Sequence, residues 1–312
     1  MKRLFLFMAV TLVALCSSIA TTKAQAPERQ NWDGGFSLYG NVESVTITGY
    51  KLQDKFGEVI RGDVQRKCKY CFNNAGDVIE RAEYNSDGSL DVKLIYKYDS
   101  SGNEIELARY DSDGSLVWRR IYRYDSSGNK IEYAWYNSAG SLNEKQIYKY
   151  DSSGNEVECA DYNSDGSLNW KFIYKYDSSG KMVEAALYKY DGSLKRKDIY
   201  KYDSYGNKIE YAEYDSDGSL NWKWIYKYDS SGNKIEEAWY NSDGSLDDKR
   251  IYKYDSSGNM IEKAYYDSDG SLDEKYIYKY DSSRNLIEET YYESDALIPM
   301  NQTEVKIVYR NE

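Results

Sequence analysis

Across 312 residues the chain holds 36 tyrosines and no histidine, with 52 acidic against 41 basic side chains and a net charge of -11. The missing histidine removes the usual base behind serine and cysteine nucleophiles, and with it the commonest metal ligand. The acidic balance repels phosphate backbones and anionic lipid, which excludes nucleic acid and membrane surfaces as partners at ordinary salt.

The N-terminus reads as an export signal, residues 1–24: Lys2 and Arg3, the apolar run Leu4 to Ala14, then small residues leading to Thr22-Lys23-Ala24. Cleavage there removes three basic residues and no acids, leaving 38 basic against 52 acidic side chains, a net charge of -14 (38 − 52). Bulky Leu15 before Cys16 argues against a lipoprotein processing site. No later segment approaches the roughly 20 apolar residues of a membrane-spanning helix. The expected location is therefore periplasmic, cell-surface or secreted.

Residues 25–68 read as a lead-in, flexible from Ala26 to Ser37, followed by N-terminal capping strands, with Asn41 to Tyr50 alternating as a strand. Cys68 and Cys71 form a CxxC. On a strand, three residues apart means opposite faces, and three cysteines after export make an odd number, so neither a metal site nor a disulfide framework is implied. No metal or other cofactor is expected.

Residues 69–292 are a tandem array. A degenerate copy spans Lys69 to Tyr84, and then Ile-Tyr-Lys-Tyr-Asp-Ser-Ser-Gly-Asn starts at Ile95 and returns, with small changes, every 26 residues through Ile277. Such a period marks stacked supersecondary units that bury their apolar faces only against each other. Each copy carries two turns, Asp99-Ser100-Ser101-Gly102-Asn103 and Asp111-Ser112-Asp113-Gly114-Ser115 in the first. Both predict type I turns closed by a left-handed glycine, giving antiparallel hairpins of about 16 strands. Taking Asp99 opposite Asn103 and continuing without interruption puts Leu94, Tyr96, Glu106, Ala108 and Tyr110 on one face, with Lys93, Ile95, Lys97, Leu107 and Arg109 on the other. Residues 293–312 read as a C-terminal capping strand, Glu304 to Arg310. The expected fold is all-β: one elongated, coiled antiparallel sheet of 26-residue hairpin repeats with N- and C-terminal caps.

The pattern Tyr96-Lys97-Tyr98-Asp99-Ser100-Ser101-Gly102-Asn103-Glu104-Ile105 resembles the YD repeats of the RHS family over residues 69 to 292. The resemblance implies an exported or envelope-associated protein with an antiparallel strand spiral, in a family that serves adhesion, carbohydrate binding and toxin delivery. Here Asn or Lys181 follows the turn glycine where the family usually has Arg. The array is also too short for a toxin-delivery shell and ends in a cap, which sets delivery aside.

Chemistry is sparse. The Asp-x-Asp-Gly turns at Asp111/Asp113, Asp215/Asp217 and Asp267/Asp269 look like calcium loops, yet the twelfth position from Asp111 is Tyr122 where a bidentate Glu belongs, and turn formation explains them. Glu106, Glu132, Glu158 and Glu184 form a column of equivalent acids, with no asymmetric pair of the kind glycosidases need, and are assigned to solvated positions beside tyrosine hydroxyls. No catalytic residue is expected.

The sharper signal lies where copies disagree. Trp118, Trp170 and Trp222 occupy one position in alternate copies, four strands or roughly 19 Å apart. In the uninterrupted register Trp118 lies between Ala108 and Tyr136 on the first face, Trp224 extends the patch, and Trp135 and Trp239 fall on the other face. The candidate ligand contacts are Trp118, Trp170, Trp222, Trp224 and Tyr136, aromatic platforms for sugar rings; the alternative is that these indoles pack the interior of the coil. The expected function is non-enzymatic binding or adhesion at a bacterial cell envelope, with a glycan or envelope protein as partner, against a purely structural or antigenic surface array. Choline capture by cation–π cages is a third reading that lacks the Gly-Trp spacing of such repeats. The oligomeric state is open.

Overall fold

The computed structural model describes residues 38–294 and 298–310, so the export signal and the lead-in to Ser37 lie outside the described residues. Twenty strands follow in chain order: β1 Val42–Lys55, β2 Glu58–Phe72, β3 Val78–Tyr84, β4 Leu90–Tyr98, β5 Glu104–Asp111, β6 Leu116–Tyr124, β7 Lys130–Asn137, β8 Leu142–Tyr150, β9 Glu156–Asn163 and β10 Leu168–Tyr176. The second ten are β11 Met182–Lys189, β12 Leu194–Tyr202, β13 Lys208–Asp215, β14 Leu220–Tyr228, β15 Lys234–Asn241, β16 Leu246–Tyr254, β17 Met260–Asp267, β18 Leu272–Tyr280, β19 Leu286–Glu293 and β20 Asn301–Tyr309.

The turns form as their residues dictate. In the first, Gly102 N–H donates to the Asp99 carbonyl at 3.1 Å and Asp99 N–H to the Asn103 carbonyl at 2.9 Å, with Gly102 at φ +84° where a side chain would be strained. Asp99 Oδ1 accepts the N–H groups of Ser101 and Asn103 and Oδ2 accepts Asn103 Nδ2, which holds the Asp99 carboxyl below its usual range. In the second turn Asp113 Oδ1 accepts Ser115 N–H at 2.7 Å. That carboxylate is committed to its turn, and no cluster of metal-ligating side chains occurs among the described residues.

Each strand pairs antiparallel with its neighbours in sequence, and β1 pairs with β20 from Val42↔Tyr309 to Lys51↔Asn301. The sheet is therefore a closed 20-stranded barrel, which corrects the elongated open sheet expected from the sequence; the all-β class stands. Two physical causes brought the ends together. The flanking strands carry complementary free edges, and pairing them with each other covers most of the backbone that a cap would otherwise have to cover. Each copy also contains two β-bulges, between Lys97 and Tyr98 opposite Ile105 and between Arg109 and Tyr110 opposite Val117, and bulges bend and twist a sheet toward closure.

The divergent ends are the seam. Leu38, Val42, Val45, Tyr70, Phe72, Val78, Leu286 and Val305 form the one cluster of buried apolar side chains among the described residues, with Tyr96, Tyr278 and Tyr280 packed on it. Asn285, fully buried, accepts Tyr39 N–H and donates to the Tyr39 carbonyl and the Tyr309 hydroxyl, tying the last repeat turn to both chain ends. Elsewhere the substantial strand contacts are with ladder neighbours alone. Twenty strands at roughly 4.8 Å make a wall roughly 95 Å around, on the order of 30 Å across if round, more than side chains fill.

Candidate ligand-binding site on the inner wall

The bulges decide which side chains share a face. Tyr96 stands opposite Leu107 and Leu94 opposite Arg109, while Ile95 stands opposite Ala108 and Lys97 opposite Glu106. The uninterrupted register expected from the sequence is thus displaced by one residue on every second strand, and partners are exchanged between faces. Trp118 lies between Arg109 and Asn137, not between Ala108 and Tyr136.

One face is the concave, inner wall. The buried acids Asp161, Asp198, Glu213 and Glu237 all lie on it, and a cavity of about 930 Å³ runs along it from Arg250 and Tyr265 through Tyr276, Glu289 and Tyr291 to Tyr50 and Arg66. The outer face carries an ion pair in every hairpin, from Lys97 and Glu106 at 2.7 Å and Lys149 and Glu158 at 2.7 Å to Lys279 and Glu288 at 2.6 Å. The glutamate column is therefore paired with lysine on the outside, not solvated beside tyrosine hydroxyls.

Copy-to-copy variation follows the same division. The outer columns scarcely change: Ile95 recurs as Ile at all eight positions, Glu106 as Glu, Tyr110 as Tyr, Lys93 and Lys97 as Lys or Arg, and Ala108 as Ala until Thr290. The inner columns change at nearly every step. The column of Val92 reads Trp118, Glu144, Trp170, Arg196, Trp222, Asp248 and Glu274; that of Leu94 reads Arg120, Gln146, Phe172, Asp198, Trp224, Arg250 and Tyr276. Only the two tyrosines of each Tyr-x-Tyr-Asp stay fixed on this side.

Of the residues singled out from the sequence, Trp118, Trp170, Trp222 and Trp224 all stand on the inner wall, half-buried. Tyr136 does not join them: it lies on the outside, its ring 5.5 Å from the Arg119 guanidinium. Trp135 and Trp239, assigned to the opposite face in the uninterrupted register, belong with the inner tryptophans. Around β14 to β16, Trp224 stacks on Trp239 at 5.9 Å and 15°, Trp222 meets Trp239 edge-on at 6.5 Å, and Arg250 sits 4.7 Å over Trp224 while bonding Glu237 at 2.8 Å. Around β6 to β8, Arg120 lies 4.7 Å over Trp118, with Tyr133 and Trp135 beside it. Trp170 meets Phe172, which stacks on Tyr174.

Charge on this wall is tuned by burial. Burial lifts the Glu156 and Glu289 carboxyls and lowers the Lys208 ammonium, beside which Lys234 adds like-charge repulsion. Burial also raises Asp198, to about 6. Glu237 is pushed up by burial but held below its ordinary value by Lys234, Tyr252 and Arg250. Sequence reasoning missed Arg120, Arg250 and the acids Glu144 and Asp248; the disagreement among copies at those columns was the available signal.

A barrel with an invariant charged exterior and a varied aromatic and ionic interior is the class of protein these features define. Residues 84–135, two repeats of the array, match the family described as "Protein of unknown function (DUF2963)". No curated protein matches the chain. Among solved structures, the chain is similar to a porin-like protein from Bacteroides uniformis at 7% identity, covering 86% of this chain and 98% of that one with a TM-score of 0.38. It is also similar to a chain of the TcdB2-TccC3-Cdc42 complex at 11% identity, covering 78% of this chain and 20% of that one with a TM-score of 0.23, and to one of the Photorhabdus luminescens Tc holotoxin pore at 11%, with the same coverage and a TM-score of 0.22. The chain spans about a fifth of those toxin chains. Likenesses this distant carry no argument, and the functional reading rests on the barrel's own residues.

Proposed function

We propose that the protein is a non-enzymatic, exported binding protein of the bacterial envelope or exterior that takes glycans on the inner wall of its barrel. The observation that carries this reading is the confinement of variation to inward-facing columns. Were packing the only demand, the enclosed wall would be held constant and the solvent face would drift. The reverse is observed: a fixed exterior keeps the strands in register, and the interior is diversified with Trp, Tyr, Arg, Asp and Glu. Indole faces suit the apolar face of a sugar ring, and the flanking charged and hydroxyl groups suit its oxygens. The basic and apolar N-terminal run supports export, and the YD-type motif supports an adhesive or carbohydrate-binding role.

The test is a glycan array probed with the mature chain, residues 25–312. Binding is expected, and replacement of Trp118, Trp170, Trp222 and Trp224 by Ala is expected to abolish it while circular dichroism stays unchanged. A mature protein that binds no glycan overturns the reading and leaves a structural surface array.

A further inference from the structure

Two stretches of the inner wall, 104 residues apart, repeat one arrangement. On β6 to β8 it comprises Trp118, Trp135 and Glu144; on β14 to β16 it comprises Trp222, Trp239 and Asp248 at the equivalent positions. Each has an arginine lying 4.7 Å over a tryptophan, Arg120 over Trp118 in one and Arg250 over Trp224 in the other. The arginines come from different slots, since position 120 corresponds to Trp224 and position 250 to Gln146, yet each arrangement ends with one. No other pair of copies carries tryptophan in both of these columns.

The donors left over correspond as well, while the acceptor Asp248 Oδ1 is left over in the second arrangement alone. The indole nitrogens of Trp135 and Trp239 are both buried without a protein acceptor, as are the Nε atoms of Arg120 and Arg250. Arg250 Nε comes no nearer than 3.9 Å to Asp248 Oδ1, beyond hydrogen-bond reach. Buried donors are nearly always satisfied in native proteins, so donors lying unpartnered beside aromatic faces point to an occupant that supplies acceptors. A purely aromatic or aliphatic occupant would leave these donors unpaired. A sugar ring, with an apolar face for the indole and oxygens around its edge, satisfies both demands.

We infer that the barrel holds two related saccharide subsites, one at Trp118, Arg120, Trp135 and Glu144 and the other at Trp222, Trp224, Trp239, Asp248 and Arg250, each with an indole N–H donating to a sugar oxygen. This rests on the reading that the inner wall binds glycans. The two subsites lie eight strands apart around the wall, so they take two short oligosaccharides independently.

The experiment is nitrogen-15 NMR of the tryptophan indole groups together with calorimetry, using cellohexaose, maltohexaose and N-acetylchitohexaose as probes. At least one probe is expected to bind with two sites per barrel and to shift the signals of Trp135 and Trp239 together. Trp135→Phe keeps an aromatic face of smaller area and removes the donor, and should weaken one site about tenfold while leaving the other intact; Trp239→Phe should do the converse. A single site per barrel, or one lost on either substitution alone, overturns the duplicated subsites while leaving glycan binding standing. No indole shift with any probe overturns glycan binding on the inner wall, and the subsites with it.

Discussion

The Tyr124 hydroxyl donates to the Glu104 carbonyl oxygen at 2.7 Å, from the end of β6 to the start of β5. The ladder between these strands ends at Glu106 and Ile121, so the Glu104 carbonyl lies beyond the last paired residues and the tyrosine side chain takes the place of a strand amide. The contact recurs at every hairpin, from Tyr98 onto Val78 to Tyr280 onto Met260. This is why the second tyrosine of each copy is fixed on a wall where most else varies: it staples one hairpin to the one before it.

Tyr124→Phe and Tyr150→Phe should each cost about 1 kcal/mol, the net worth of one hydrogen bond, and should combine nearly additively. Denaturant midpoints check this. Tyr205→Ser, at a turn position 91% exposed, is the control and should change nothing measurable. Stability unchanged in both staple variants would sink the stapling account.

The same tyrosines set the alkaline limit of the fold. Burial raises Tyr124, Tyr150, Tyr176 and Tyr280 to about 12, against an unfolded value near 10. For an acid whose folded value is raised, the folded state holds its proton more tightly. Its stabilising contribution is full below about pH 10 and is lost as pH rises toward 12. The last part of the tyrosinate absorbance should therefore lag behind that of free tyrosine and rise together with loss of the circular dichroism strand signal between about pH 10 and 12. Complete ionisation of the tyrosines near pH 10 with the strand signal intact would show that these hydroxyls are not held as described.

Asp198 works in the same direction, but near neutral rather than alkaline pH. It is 4% exposed on the inner wall, one carboxylate oxygen lacks a hydrogen-bond partner, and the nearer guanidinium, Arg196, is bonded to Glu213. Burial lifts its value from 3.8 to about 6 against the pull of Arg196. The folded state thus favours the neutral acid, and the contribution to stability present below about pH 4 disappears as pH rises through 6. Above that, the ionised carboxylate costs on the order of 2–3 kcal/mol. Asp198→Asn should raise the denaturant midpoint at pH 7.5 and leave it nearly unchanged at pH 4. A variant less stable at pH 7.5 would mean that attraction to Arg196 outweighs burial.

Much of the wall is legible in the chain before folding. The 26-residue beat, the Asp-x-x-Gly turns and the alternation of Tyr, Ile and Lys specify hairpins because each is a local property of a few residues. The bulges opposite Ile105 and Val117 are not local in this way: they arise where a turn geometry meets the twist of its strands, and nothing in those residue types announces them. One bulge was enough to exchange Tyr136 for Trp135 on the inner wall. Closure was hidden for a related reason, since Val42 to Lys51 and Asn301 to Tyr309 meet only across the whole length of the array. Their departure from the repeat reads as capping until the register shows them paired.

The exterior makes a last, separable prediction about lipid. No helix among the described residues is long and apolar enough to cross a membrane, but a barrel crosses with strands, so the outer face has to be judged by its own chemistry. A lipid-facing barrel presents an unbroken apolar band about 25 Å tall, and a lysine or arginine on it costs roughly 2–4 kcal/mol at the bilayer centre. Here Lys97, Lys149, Lys175, Lys201, Lys227, Lys253 and Lys279 each pair outward with a glutamate, their side chains about 60% exposed. Pairing softens the cost of each but leaves both charges to be stripped of water, and seven such pairs amount to far more than the neighbouring isoleucines return. The mature protein should therefore stay in solution without detergent, fail to float with phosphatidylcholine vesicles, and carry no current across a planar bilayer. Stable conductance steps would mean that this face meets something other than water, and the assignment of the varied wall as the interior would have to be reversed.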